Sequence, residues 1–156
     1  MQRGDEPAFA ALVRPELELA FRLAYVITGT AVDAEDSVQD ALFKTWRSFA
    51  HFRAGERFRP WFLRIVANEA RNRRRATGRR QRLSLRAAQE RPPETADSSG
   101  LLDALNELPA DARVVLLCRY VLGLTEQETG AALDVAVGTV KSRASRALEQ
   151  LRESYD

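Results

Sequence analysis

The chain has 156 residues and a net charge of +2; 45% of the residues are apolar and 29% charged, which suits a soluble globular protein of one ordinary or two small domains. One cysteine (Cys118), one histidine (His51) and no apolar run of about 18 residues leave no internal disulfide, metal cluster, histidine-based triad or membrane-spanning helix to assemble. The charge is unevenly spread: residues 1–50 carry five basic and eight acidic side chains (net −3), 51–91 thirteen and three (net +10), and 92–156 six and eleven (net −5).

A basic centre between acidic flanks suits a polyanion site with partner surfaces beside it, or else a solvated Arg-rich linker. The opening MQRGDEPAF carries acids and a proline and leads into no signal-peptide core, so the protein is expected in the cytoplasm. Phe9, Leu12 and Val13 then begin an amphipathic stretch that Pro15 interrupts. Leu19, Leu23, Val26 and Ile27 continue it to a stop at Thr28-Gly29. Asp33 is a candidate cap for the next helix. There Val38, Ala41, Leu42, Thr45, Trp46 and Phe49 repeat at helical spacing and predict one buried face. Glu35, Asp36, Gln39 and Asp40 lie on the other side.

Residues 50–59 read as a loop, and Pro60 stands where a first helical residue belongs. The helix from Trp61 to about Arg75 buries Phe62, Ile65 and Val66. It presents Trp61, Arg64, Asn68, Arg71 and Arg75 as one polar stripe. From Ala76 to Gly100 the periodicity fades into Pro92-Pro93 and Asp97-Ser98-Ser99-Gly100, the pattern of a flexible linker. Beyond it Leu101, Leu105 and Leu108 form a short helix. Pro109 starts another, in which Val114, Leu117, Cys118 and Val121 share a face up to Gly123. Thr125 caps a helix over 126–133, Asp134-Val135-Ala136 turns, and a last helix runs from about Val137 or Thr139 to Arg152. Short helix, three-residue turn and longer helix make the helix-turn-helix pattern. Gly130 suits a close crossing, Asp134 a left-handed turn residue, and Val140 an inward contact. The fold class expected is all-α, two small helical domains: residues 1–76, a linker over 77–100, and 101–156.

In the last helix Val140, Ala144, Leu148 and Leu151 point inward. Thr139, Ser142, Ser145 and Arg146 point outward, flanked by Lys141 and Arg143. Small polar residues let a helix sink into the major groove, and arginine pairs with guanine or clamps a phosphate; the alternative is an ordinary solvated helix. A basic helix led by Trp61, after a loop holding Phe52, Arg53, Phe58 and Arg59, suits single-stranded nucleic acid, because bases stack on aromatics while arginines follow the backbone. Trp46 and Phe49 belong to the core, whereas Trp61 and the loop aromatics fit core or base stacking equally. The cluster Glu35, Asp36, Gln39 and Asp40 has no basic or metal partner in the sequence reading and is no catalytic pair. It is a solvated first helical turn or a protein-docking surface.

The run DAEDSVQDALFKTWRSFAHFRAGERFRPWFLRIVANEARNRRR resembles region 2 of bacterial sigma factors. LNELPADARVVLLCRYVLGLTEQETGAALDVAVGTVKSRASRALEQLR resembles region 4. The resemblance covers about residues 9–75 and 101–152, with no counterpart of regions 1.1 and 3. That layout is similar to the extracytoplasmic-function (ECF) group. The chain begins close to region 2, so the short leading segment many relatives carry is expected either to be missing or to lie upstream of Met1. Ser37 and Thr129 replace larger apolar residues, and Gly130 is often alanine. The resemblance implies a specificity subunit, not an enzyme, with no cofactor. Glu35, Asp36, Gln39 and Asp40 would dock on the clamp helices of the polymerase largest subunit. Phe52, Arg53, Phe58, Arg59, Trp61, Arg64, Asn68 and Arg71 would capture the melted −10 element, with Asn68 near a flipped base. Arg119, Thr139, Lys141, Ser142, Arg143 and Arg146 would contact −35 duplex. The second-subunit flap and an anti-sigma factor are further implied partners, and the free chain is expected to be a monomer. A stand-alone helix-turn-helix regulator is the competing reading, but it needs neither the acidic helix nor the basic-aromatic one. A nucleic-acid enzyme would need a metal-binding or His/Cys set that the sequence lacks.

Overall fold

The computed structural model describes residues 5–52, 55–81 and 100–155, and every regular element among them is helical. They belong to two compact units divided between Arg79 and Arg80. In the first, α1 (Asp5–Val13) passes through a 3-10 turn (Arg14–Glu16) into α2 (Leu17–Thr28). Pro15 sits at the start of that turn, where its missing N–H leaves no bond unmade.

Gly29, at φ 86°, ends α2 in the left-handed conformation, and its N–H donates to the Tyr25 carbonyl at 2.8 Å. α3 (Ala31–Ser48) follows after two residues, Gly29 and Thr30. Its cap is Thr30, whose Oγ1 accepts from the Asp33 N–H at 3.2 Å, and not Asp33 as the sequence suggested. Gly29 stops α2 so abruptly that Thr30 is the first capping side chain reached. Asp33 falls in the first turn, where a carboxylate suits the positive helix end. The expected face of α3 is the inner one: Val38, Ala41 and Thr45 are buried, and Leu42, Trp46 and Phe49 half-buried. Ser37 is buried too and carries no penalty for its hydroxyl, which donates to the Asp33 carbonyl at 2.7 Å.

After a 3-10 turn (Phe49–His51) and a loop, α4 spans Phe58–Gln81. It starts earlier than Pro60 and outlasts Arg75. Pro60 is its third residue, inside the first turn, where backbone N–H groups have no intrahelical acceptor. Beyond Arg75 the helix runs on through Ala76–Gln81 without a large apolar residue, so apolar periodicity stops marking it. Phe62, Leu63, Val66, Ala67 and Ala70 are fully buried, alongside Leu23 and Ala24 of α2 and Ala34 and Ala41 of α3. Pro92-Pro93 and Asp97-Ser98-Ser99 lie outside the described residues, and Gly100, expected to close the linker, is instead the first residue of the next helix.

The second unit holds α5 (Gly100–Glu107), α6 (Ala110–Leu116), α7 (Glu126–Leu133) and α8 (Val137–Tyr155). Leu108, Ala112, Leu116 and Ala147 form one cluster of its core, covered by Leu105, Ala144, Leu148 and Leu151, and Val115, Leu122, Leu124 and Val140 are fully buried as well. α6 continues into a π turn (Leu117–Val121), in which the Leu122 N–H reaches back five residues to the Leu117 carbonyl at 2.9 Å. This extra residue per turn rotates the chain, so Val121 is not on the buried face as expected. It is 51% exposed, and Leu122 is buried in its place. Gly123, at φ 69°, ends the turn, and the Leu124 N–H donates to the Cys118 carbonyl at 2.9 Å.

Candidate nucleic-acid interfaces and an acidic docking face

Three side-chain constellations follow from these elements. The first is the outer face of α3. Because Val38, Ala41 and Thr45 point inward, Glu35, Gln39 and Asp40 are exposed and Asp36 half-buried. The expectation that this cluster lacks a basic partner is corrected by the structure. Arg73 of α4 reaches across, with Nη2 3.0 Å from Asp40 Oδ2 and Nη1 3.5 Å from Asp36 Oδ2. One turn further along α3, Lys44 pairs with the buried Glu69 of α4. Arg73 went unnoticed because it is one of seven arginines from 64 to 80, off the polar stripe, and its partners lie 33 and 37 residues away.

The second constellation surrounds the loop between α3 and α4. Seven rings run in continuous contact from α1 to α4. Phe9 meets Trp46 and Phe49 edge-on at 5.0 and 5.3 Å, and Phe49 stacks on Phe52 at 6.2 Å. Phe52 then contacts Phe58 at 5.6 Å and Trp61 at 5.0 Å, and Phe58 stacks on Phe62 at 5.5 Å. The Phe52–Phe58 contact pinches the loop shut at its base. Phe58 is buried and serves this packing, whereas Phe52 and Trp61 keep partly exposed rings. Arg59 faces inward far enough for Nε to donate to the buried Glu16 at 2.7 Å, so it anchors the start of α4 to the α1–α2 junction. Arg64 and Asn68 are exposed on the expected stripe. Arg71 Nη2 donates to Asn68 Oδ1 at 3.4 Å, which turns the Asn68 amide nitrogen away from that contact. Arg53 lies outside the described residues.

The third is the helix-turn-helix. Thr125 and Glu128 form a reciprocal capping box at the start of α7, with bonds of 3.0 and 2.9 Å. Asp134 adopts φ 57°, the left-handed turn residue the sequence called for. The chain packs so closely here that a Cβ on Gly130 would lie 2.8 Å from the Val135 carbonyl oxygen. Val140 is fully buried and fixes α8 against this turn. Lys141, Ser142, Ser145 and Arg146 are consequently exposed, and Thr139 half-buried. Arg146 Nε rests on the Ser142 carbonyl at 3.3 Å. Arg143 is drawn to the side, with Nε 3.5 Å from Asp111 of α6. Arg119 Nη1 donates to the Leu124 carbonyl and secures the segment entering the capping box. Asp111, like Glu16, was missed because only the tertiary packing of helices distant in sequence brings it to its arginine.

Cys118 is buried, and desolvation pushes its thiol up to about 12, so it stays protonated and unreactive. Among the described residues no group of three His, Cys, Asp or Glu side chains could hold a metal ion, and no helix is long and apolar enough to cross a membrane.

Comparison with known proteins agrees with this layout. Residues 12–80 match the family described as Sigma-70 region 2, and residues 99–151 match Sigma-70, region 4. The ECF RNA polymerase sigma-E factor of Escherichia coli K12 is 34% identical, over 97% of this chain and 88% of the relative. The ECF RNA polymerase sigma factor SigE of Mycolicibacterium smegmatis is 32% identical over 96% of this chain, which spans 63% of that longer relative. Among solved structures, the sigma factor RpoE of Bartonella quintana, in complex with the anti-sigma factor NepR, superimposes with a TM-score of 0.75 at 29% identity, covering 97% of this chain and 96% of the other. CnrH, in complex with the cytosolic domain of CnrY, shares the fold with a TM-score of 0.63 at 24% identity. A chain whose described elements are all helical, with region 2 followed by region 4 and with 34% identity across nearly its whole length to a sigma-E factor, belongs to the ECF group of RNA polymerase sigma factors.

Proposed function

We propose that this chain binds core RNA polymerase and directs it to promoters, acting in the cytoplasm. The observation that carries the reading is the pairing of a helix-turn-helix unit with a second helical unit bearing an acidic face and a basic-aromatic face, which a stand-alone regulator would not need. The chain supplies binding and specificity, and the polymerase performs the phosphoryl transfer. Residues 1–76 and 101–156 act as two modules, with 77–100 as the connection between them.

In this reading Glu35, Asp36, Gln39 and Asp40 dock on the largest-subunit clamp helices, and the second unit also meets the second-subunit flap. Phe52 and Trp61 stack on unpaired −10 bases while Arg53, Arg64 and Arg71 follow the strand. Phe58 and Arg59 hold that surface in shape from below. Asn68 reads a flipped base, and its free amide nitrogen favours an acceptor on the base edge. α8 enters the −35 major groove with Thr139, Lys141, Ser142 and Arg146 foremost, the last for base reading. Arg143 and Arg119, each already engaged within the unit, hold phosphates. The Bartonella quintana sigma factor is bound by an anti-sigma factor, and by likeness this chain is held inactive by one as well.

The test mixes the purified chain with core polymerase and maps protection on promoter DNA. The reading expects one chain per polymerase and protection of both elements only in the complex. Identical protection by the chain alone would instead favour a stand-alone regulator.

A further inference from the structure

Val32 and Phe43 leave 63% and 62% of their surface exposed, and both belong to α3. Eleven residues apart, they lie within about 20° of one line along the helix and about 16 Å from each other. Asp36, Gln39 and Asp40 fall between them. The stripe therefore reads apolar, acidic, apolar over three turns, on the side away from the buried Val38, Ala41 and Thr45. Nothing in the first unit requires a phenylalanine there, since the buried face is complete without it. Arg47 holds its guanidinium carbon 5.6 Å from the centre of the Phe43 ring, and the side chain is still largely exposed.

We infer that Phe43, with Val32, is the apolar anchor of the docking face, and that its partner is a helix of core polymerase presenting apolar side chains flanked by basic ones. This rests on the reading that Asp36 and Asp40 dock on polymerase. Two features select this occupant. The apolar residues continue the proposed acidic interface without a break, and Asp36 and Asp40 share the single guanidinium of Arg73, so the net negative charge left between the apolar residues is complemented by basic side chains on the partner. Exposed carboxylates bring long-range attraction and salt sensitivity. A large aromatic withdrawn from water contributes most of the binding free energy at such surfaces, and salt barely affects it.

The two contributions separate by titrating the full chain against purified core polymerase at low and high salt. Phe43→Ala should weaken binding at least tenfold, by the same factor at both salt concentrations. Phe43→Leu should restore most of the loss, and Val32→Ala should lose less. Asp36→Asn with Asp40→Asn should weaken binding and flatten its salt dependence. Unfolding followed by tryptophan fluorescence should match the parent in the Phe43 variants, given the side chain's exposure. If the aspartate pair weakens binding and Phe43→Ala does not, the anchor is refuted and the docking face stands. If neither weakens it, the docking reading falls and takes the anchor with it. A Phe43→Ala loss that vanishes at high salt would mean the residue acts through Arg47, and would overturn the inference. So would a free chain whose self-association is lost in Phe43→Ala while core affinity is kept.

Discussion

Arg73→Ala removes the guanidinium that bridges Asp36 and Asp40, and the size of its effect can be worked out beforehand. The two contacts are 3.0 and 3.5 Å long, and the three side chains are 32%, 46% and 55% exposed. Pairs exposed to that degree contribute about 0.2–1 kcal/mol each after screening and side-chain ordering. Without the arginine, Asp36 and Asp40 face each other four residues apart on α3 and repel by about 0.2–0.5 kcal/mol. The first unit should therefore lose roughly 1 kcal/mol, which for a domain of this size lowers its melting temperature by about 4–8 °C. Both tryptophans of the chain, Trp46 and Trp61, lie in this unit, so their fluorescence follows its unfolding without interference from the other. Urea titrations of wild type, Arg73→Ala, Asp40→Asn and the double variant close a cycle whose coupling term should nearly vanish at about 1 M salt, where the Debye length is about 3 Å. With two carboxylates uncompensated, core affinity at low salt should rise two- to fivefold and depend more steeply on salt. A stability loss above about 3 kcal/mol, or a coupling that survives high salt, would refute this treatment of Arg73 as a surface clasp.

Thr129 is fully buried in α7, and its hydroxyl has no partner among the described residues, so Thr129→Val should stabilise the second unit by about 1 kcal/mol in thermal unfolding followed by circular dichroism. Arg146→Ala should weaken −35 duplex binding by about 1–3 kcal/mol and relax sequence preference in fluorescence anisotropy, whereas Arg143→Ala should weaken all sequences alike and lower the salt slope. Asn68→Ala should spare closed-duplex binding, slow promoter opening and alter the preferred −10 base even on a pre-melted template; wild-type behaviour on every template would return Asn68 to an ordinary solvated residue. The Cys118 thiol should resist disulfide reagents in the native state. Because its folded pKa is raised to about 12 from 9.0, its contribution to stability is complete below about pH 9 and is lost as pH rises toward 12; Cys118→Ala should remove that alkaline loss in pH-dependent unfolding.

The helix-turn-helix was legible because its determinants are local. Thr125 and Glu128 sit three residues apart, Asp134 supplies the left-handed turn, and Val140 follows at helical spacing, so no distant contact is needed to read them. The buried face of α3 was legible for the same reason. Positions outside such patterns were not. The π turn at Leu117–Val121 inserts one residue that no periodicity announces, and Val121 turns outward. Thr30 and Asp33 are both good caps, and the choice depended on where Gly29 ended α2. The partners of Arg59, Arg73 and Arg143 lie 43, 33 to 37 and 32 residues away in sequence, and only the packing of the helices brings each pair together. Phe43 could have been read from the α3 pattern, since a face with Val38, Ala41 and Thr45 inward puts residue 43 outward.

Run-off transcription by purified core polymerase on a promoter library, with and without the purified chain, tests the central claim most directly. The account predicts transcripts only when the chain is present, starting downstream of a shared pair of −35 and −10 sequences, and lost when Asp36 and Asp40 are both reversed to Lys. A chain that binds −35 duplex tightly yet yields no transcript with any core polymerase able to initiate with another sigma factor would contradict it.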